Sequence, residues 1–212
     1  MDRDIIREQV TYYSARAPEY HNVILSSGPL AVAKRHLLAL GPLRHVLELA
    51  PGTGNWTEEL VRIGETVTAV DASPEMMEIN RRRVADARVE YRQADLFQWT
   101  PDRQYDLVFS AFFLSHVPPD LVDAFLARVR SAVRPEGHLF FIDQCDDLPN
   151  YPTPAREGIF EQRALLDGRT FTIVKVYYHP AVLAERVRSL GFQVTAERIH
   201  PFFYLRGRRI AP

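Results

Sequence analysis

Residues 46 to 54 read Val-Leu-Glu-Leu-Ala-Pro-Gly-Thr-Gly, and the next strand-like run ends on a carboxylate, Asp71. An apolar run that breaks into Gly-x-Gly predicts a buried strand followed by a tight turn. Glycines at such a turn let the backbone approach a ligand, with amides directed at it from the start of a helix. Asp71 follows Gly52 by 19 positions, near the roughly 20 that bring an acid onto ribose hydroxyls in a βαβ nucleotide-binding unit. Together they point to a ligand that contains a nucleoside.

The residues after Gly54 argue against a dinucleotide. Thr57 stands where a third glycine would allow close helix–strand packing, and the bulky Asn55 and Trp56 precede it. Glu48, on the strand before the turn, would repel a pyrophosphate and attract a cation. The pattern Glu48-x-Ala50-x-Gly52-x-Gly54 resembles the first motif of the class I S-adenosylmethionine-dependent methyltransferases, whose cofactor carries a sulfonium and an ammonium and no phosphate.

The resemblance extends along most of the chain. Val67 to Met76 (Val-Thr-Ala-Val-Asp-Ala-Ser-Pro-Glu-Met) is similar to the family's second strand, its ribose-binding acid and the helix start after it. Val89 to Leu96 resembles the third strand and the acid that meets the adenine amino group. Tyr105 to Phe112 resembles the fourth strand, and Leu139 to Asp143 the fifth. The family often has glycine where this chain has Ala50, which is small enough to keep the turn. The resemblance implies S-adenosylmethionine as cofactor, held by Glu48, Ala50, Gly52, Gly54, Asn55, Trp56, Asp71, Ala72, Met76, Asp95, Leu96 and Ser110.

These residues need a scaffold, and the chain predicts one. Strand-like runs near 45–49, 66–70, 88–93, 105–111 and 138–143 alternate with helical patterns near 29–40, 57–63, 74–85, 120–133 and 180–190. Such alternation implies a doubly wound α/β fold with helices on both faces of a mostly parallel sheet. Two further strands, near 192–199 and 202–208, complete seven and supply the antiparallel edge strand of the family. Ser73 is a good N-cap, Pro74 suits the first helical position, and Gly191 can end the last helix in a left-handed cap.

At 212 residues the chain makes one domain, 1–212, with a core of ordinary composition: 46% hydrophobic and 25% charged residues. A net charge of −1 gives no footprint for nucleic acid or an anionic membrane. The run Arg206-Gly207-Arg208-Arg209 reads as a solvated chain end. Cys145 stands alone, with no signal peptide or spanning apolar stretch in view, so a cytoplasmic location and no metal are expected. Neither monomer nor homodimer is favoured.

Two regions outside the core should set the choice of substrate. The N-terminal stretch 1–28 carries Tyr12, Tyr13, Arg16, Tyr20 and His21, and resembles the aromatic lid of small-molecule methyltransferases. Tyr12, Tyr13 and Tyr20 are then candidates to pack near a sulfonium by cation–π attraction, although an amphipathic helix docking its aromatics on the sheet has the same pattern. The insertion 144–179 contains an alternating run, Thr170 to Tyr178, that predicts an extra strand.

Methyl transfer from a sulfonium relies on positioning, and a general base is needed only for an acceptor that holds a proton at its reactive atom. His116, just after the fourth strand, is the candidate base, while a loop-capping role competes with it. His21, His179 and His200 have no motif that places them near the cofactor. Asp143 and Gln144 end the fifth strand and either bind polar groups of the substrate or serve a turn. The expected function is transfer of a methyl group to a small-molecule acceptor, with O-methylation ahead of N-, S- or C-methylation. A non-catalytic nucleoside-binding protein of the same fold, or an NAD-dependent oxidoreductase, are the alternatives.

Overall fold

In the computed structural model, residues 3–20, 25–145 and 156–211 are described. Helix α1 (Arg3–Arg16) is followed by a 3-10 turn, by α2 (Gly28–Leu38) and by strand β1 (Leu43–Leu49). The chain continues through α3 (Thr57–Leu60), β2 (Gly64–Asp71), α4 (Pro74–Val84), β3 (Val89–Gln93), β4 (Tyr105–Ala111), α5 (Val122–Ala132) and β5 (Val133–Gln144). A hairpin insertion comes next, β6 (Arg156–Glu157), β7 (Phe160–Ala164) and β8 (Thr170–Val174). Helix α6 (Pro180–Ser189), β9 (Phe192–Ile199) and β10 (Phe202–Arg209) close the chain.

Seven strands form one sheet in the order β3-β2-β1-β4-β5-β10-β9. The first five run parallel, and β10 is antiparallel to both of its neighbours, one position in from the outermost strand β9. Successive side chains of a strand point to opposite faces, and the core divides accordingly. Leu47, Val108, Leu139 and Phe141 pack with α5 and α6, through Phe125, Val129, Leu183 and Val187. Val46, Leu107, Phe109 and Phe140 pack on the other face with α2, through Leu30, Ala33 and Leu37. The central strands β1, β4 and β5 are thus apolar on both faces, as a doubly covered sheet requires.

Local chemistry sets the element ends. Ser73 caps α4 by accepting from Met76 N at 3.1 Å, with Pro74 in the first turn. After α6, Gly191 takes a φ of 84°, and its N–H returns to Arg188 O.

Four expectations need adjusting. Helix α3 is a single turn, because Leu43 N bonds to Ile63 O and draws the chain directly into β2. Strand β5 begins at Val133, where α5 ends, and pairs with Tyr105 before a register shift delays regular pairing to His138. The extra strand stops at Val174: Val176 N leaves the hairpin to bond Ser115 O. The basic run 206–209 belongs to β10, not to a solvated chain end, since its alternation places Gly207 between Leu139 and Val194. Arg208 of that run pairs with Glu136.

Candidate active site

Strands β1, β2 and β4 end side by side, and their C-terminal ends open onto a cavity of about 390 Å³. This is where an open α/β sheet usually takes its ligand, beside the point at which the strand order reverses. The loop after β1 bends through Ala50 at φ 54° and Gly52 at φ 55°. The alanine therefore occupies left-handed backbone that glycine would hold at lower cost. A Cβ on Gly52 would meet nothing within 4 Å. Gly54 differs, since a Cβ there would lie 2.8 Å from Asn80 Oδ1. Its role is to let α4 press against the loop. Asn80, wholly buried, donates to Gly52 O at 3.3 Å and to Thr57 Oγ1 at 2.9 Å, and accepts from the Tyr91 hydroxyl at 2.8 Å.

Acids line this end of the cavity. Asp71 accepts from Gly52 N at 3.2 Å and from Ser73 N at 2.9 Å, which ties the end of β2 to the glycine loop. Burial pushes its carboxyl up to about 6, against the pull of backbone bonds from Ser73, Gly52 and Ala72. Asp95 accepts from Phe97 N and from Gln98 Nε2. Glu48 stands behind the loop and accepts from Thr57 Oγ1 at 2.6 Å. Burial, reinforced by Asp71, pushes Glu48 up to about 8 despite the Thr57 bond. Burial therefore favours its neutral form.

Cations share the cavity with these acids. Arg16, Arg163 and Lys175 all line it. Lys175, 4% exposed, donates to Ser115 Oγ at 2.8 Å, and Ser115 N donates in turn to Asp143 Oδ2 at 2.9 Å. Arg163 pairs with Glu161, while its buried Nε has no hydrogen-bond partner among the described residues. Arg16 bonds the Tyr12 hydroxyl and lies 5.5 Å from the Tyr20 ring centroid, a cation–π contact. Apolar rings close the remaining wall, with Phe97 and Phe113 at 5.9 Å between centroids.

His116 sits where these parts meet. Its Nδ1 is 2.8 Å from Val174 O and its Nε2 is 2.7 Å from the Tyr13 hydroxyl. Burial first, then Lys175, hold its pKa well below 6.5, although the Val174 bond works the other way. The ring is neutral at physiological pH.

The structure brings together most of the residues singled out from sequence. Tyr13, Tyr20, Ala50, Gly52, Asp71, Ala72, Met76, Asp95, Leu96 and His116 all face the one cavity, as does Gln144. Glu48, Gly54, Asn55, Trp56 and Ser110 are buried behind it: Trp56 packs on Phe109 and Ser110 Oγ donates to Leu49 O. His179 instead caps α6 by accepting from Ala181 N, and His21 lies outside the described residues. Asp143 serves the turn that holds Ser115. Sequence reasoning did not find Arg163 and Lys175. Both lie in the insertion after β5, and charged residues in an irregular segment give no signal until the hairpin folds.

The donor set fits an adenosyl cofactor better than a phosphate-bearing one. The glycine loop is met by an acid, Asp71, instead of a cation, and the helix after it is too short to present a full amide terminus. Comparison with known proteins agrees. A family profile described as a methyltransferase domain matches residues 46–137. A crystal structure of DhpI with S-adenosylhomocysteine (SAH) is 41% identical, with a TM-score of 0.85 and full coverage of both chains. A DhpI complex with S-adenosylmethionine (SAM) and HEP is also 41% identical, with a TM-score of 0.84 and coverage of 98% and 99%. The ubiquinone biosynthesis O-methyltransferase of Coxiella burnetii (strain Dugway 5J108-111) is 25% identical over 94% of this chain and 89% of its own.

Proposed function

We propose, from the premise that this chain belongs to the class I S-adenosylmethionine-dependent methyltransferases, that it methylates an oxygen of a small acidic acceptor. The enzyme's cofactor is S-adenosylmethionine, and neither a dinucleotide oxidoreductase nor a non-catalytic binding protein describes it. The observation that carries the acceptor reading is that Arg16, Arg163 and Lys175 line the same cavity as Asp71 and Asp95. Three cationic side chains around a partly buried space favour an anion there, because attraction strengthens as water is excluded.

When bound, the cofactor supplies a methyl group already activated on a sulfonium, which leaves the protein to position the acceptor. Asp71 is oriented for ribose hydroxyls by the amides of Gly52 and Ser73, and Asp95 stands at the next strand end for the adenine. Lys175, held by Ser115, and Arg163 with its unused Nε would receive the acid. Phe97 and Phe113 line the same cavity and would keep water from the acceptor. An acid oxygen is already an anion near pH 7, so no base is required. That agrees with His116, whose ring nitrogens are both engaged. The O-methyltransferase relative supports oxygen as the acceptor atom.

The acceptor is read as a free small molecule and not a nucleic acid, in line with the −1 net charge. No helix among the described residues is long and apolar enough to cross a membrane, and we place the enzyme in the cytoplasm as a monomer or homodimer. Replacing the cations tests the acceptor site. Arg163→Gln and Lys175→Met should each raise the acceptor KM by about tenfold or more, the scale of one charge-assisted hydrogen bond, and leave SAH affinity within about twofold. Weakened SAH binding with an unchanged KM would assign both side chains to the cofactor instead.

A further inference from the structure

Gly52 lines the cavity at a φ of 55°, yet a Cβ placed on it would meet nothing within 4 Å. Packing on that side therefore does not hold its backbone, and glycine is the residue with the most conformational freedom. Its two polar groups hold it instead. Gly52 N donates to Asp71 Oδ2 at 3.2 Å, and Gly52 O accepts from Asn80 Nδ2 at 3.3 Å. The residue is thus tied to the end of β2 by its amide and to α4 by its carbonyl.

The orientation of Asn80 follows from its partners. Gly52 O can only accept, so the amide nitrogen of Asn80 faces it. The other proton of that nitrogen goes to Thr57 Oγ1 at 2.9 Å, whose own proton is committed to Glu48 Oε2 at 2.6 Å. Asn80 Oδ1 accepts from the Tyr91 hydroxyl at 2.8 Å, and the Arg81 guanidinium holds the Tyr91 ring, 4.7 Å from its centroid. The side chain is wholly buried, with both donors and its oxygen engaged. Asp71 in turn receives one amide on each oxygen, Ser73 N on Oδ1 and Gly52 N on Oδ2. Ser73 caps α4, and Asn80 follows it by seven positions, about two turns. Both bonds that orient Asp71 are therefore set from one helix.

We propose that Asn80 is a positioning residue for the cofactor: by holding Gly52 O it keeps Gly52 N on Asp71, and so keeps the Asp71 carboxyl turned for the ribose hydroxyls. This rests on the reading of Asp71 as the ribose acid and is independent of the acceptor. Without Asn80 the free backbone of Gly52 rotates, and Asp71 keeps only the Ser73 amide to fix it. The loss then falls on the ribose contact and not on the rest of the cofactor.

Calorimetric titration with SAH and with an SAH analogue lacking both ribose hydroxyls tests it without turnover. Asn80→Ala, which suits the helix, should raise the Kd of SAH about tenfold, the scale of one charge-assisted hydrogen bond. The Kd of the analogue should stay within about twofold of its wild-type value, because it offers Asp71 nothing to hold. Equal weakening of both ligands would make Asn80 a general support of the loop and overturn the proposal, as would unchanged affinity for SAH. Wild-type protein that binds the analogue as tightly as SAH would overturn the reading of Asp71 itself. If Asn80→Ala fails to fold, Asn80→Asp keeps the shape and, as a carboxylate, donates nothing to Gly52 O; the same split between the two ligands then decides.

Discussion

Glu48 is a cofactor candidate from sequence that folds into a buried carboxyl. It follows an apolar run and precedes a glycine turn, so an anion beside a cation was the natural expectation. In the fold it is 1% exposed, with one hydroxyl donor and Asp71 nearby, and its carboxyl rises to about 8. A raised carboxyl pKa means that the native state keeps a proton which the unfolded chain releases above its ordinary 4.5. The unfolded chain then binds fewer protons than the native one, so this group's contribution to stability falls as pH rises from about 4.5 to about 8. Asp71, raised to about 6, adds the same sign over the lower part of that window. Glu48→Gln cannot titrate, and its melting temperature should decline less between about pH 5 and about pH 8 than that of the wild type. Parallel curves for the two proteins would mean that Glu48 is already ionised in the native state.

At the scale of elements, the legible parts were those whose pattern is local. The apolar runs of β1, β4 and β5, the Ser73–Pro74 helix start and the Gly191 cap all follow from neighbouring residues, and each stands where the sequence indicates. The β6–β8 hairpin was illegible beyond one alternating run, because its pairing and its docking on α1 depend on contacts such as Thr172 N to Glu8, 164 positions apart. Lys175 and Arg163 reach the cavity only through that docking. The glycine loop lies between these cases. Its turn was readable, but the partner that makes Gly54 necessary is Asn80 on α4, which no motif announces. Gly54→Ala should therefore lower stability by about 1–3 kcal/mol, through its φ of 93° and the approach to Asn80. Chemical denaturation would measure the loss, and a midpoint unchanged from wild type would show that α4 can move away freely.

The whole molecule is a rigid sheet with a cap assembled from two distant stretches of chain. Two large apolar clusters hold the sheet, while Tyr12, Leu165 and Ile173 form a small third one that joins α1 to the hairpin. The sheet edge supplies the residues proposed for the cofactor, and the cap supplies Arg16, Arg163, Lys175 and Tyr13. Division of labour of this kind lets one scaffold serve different acceptors by changing the cap, in line with loops carrying specificity on a fixed framework. Only the sheet half could be read from five ordered motifs; the cationic half exists only once the chain has folded. This half is proposed to select an acid. The most direct measurement is SAH release from SAM in the presence of a panel of small carboxylic, phosphonic and sulfonic acids, set beside neutral alcohols, phenols and amines, with the methylated product identified by mass. Turnover confined to acids, with the new methyl on an acid oxygen, is the predicted result. Turnover of neutral phenols or amines with every acid inert would contradict it.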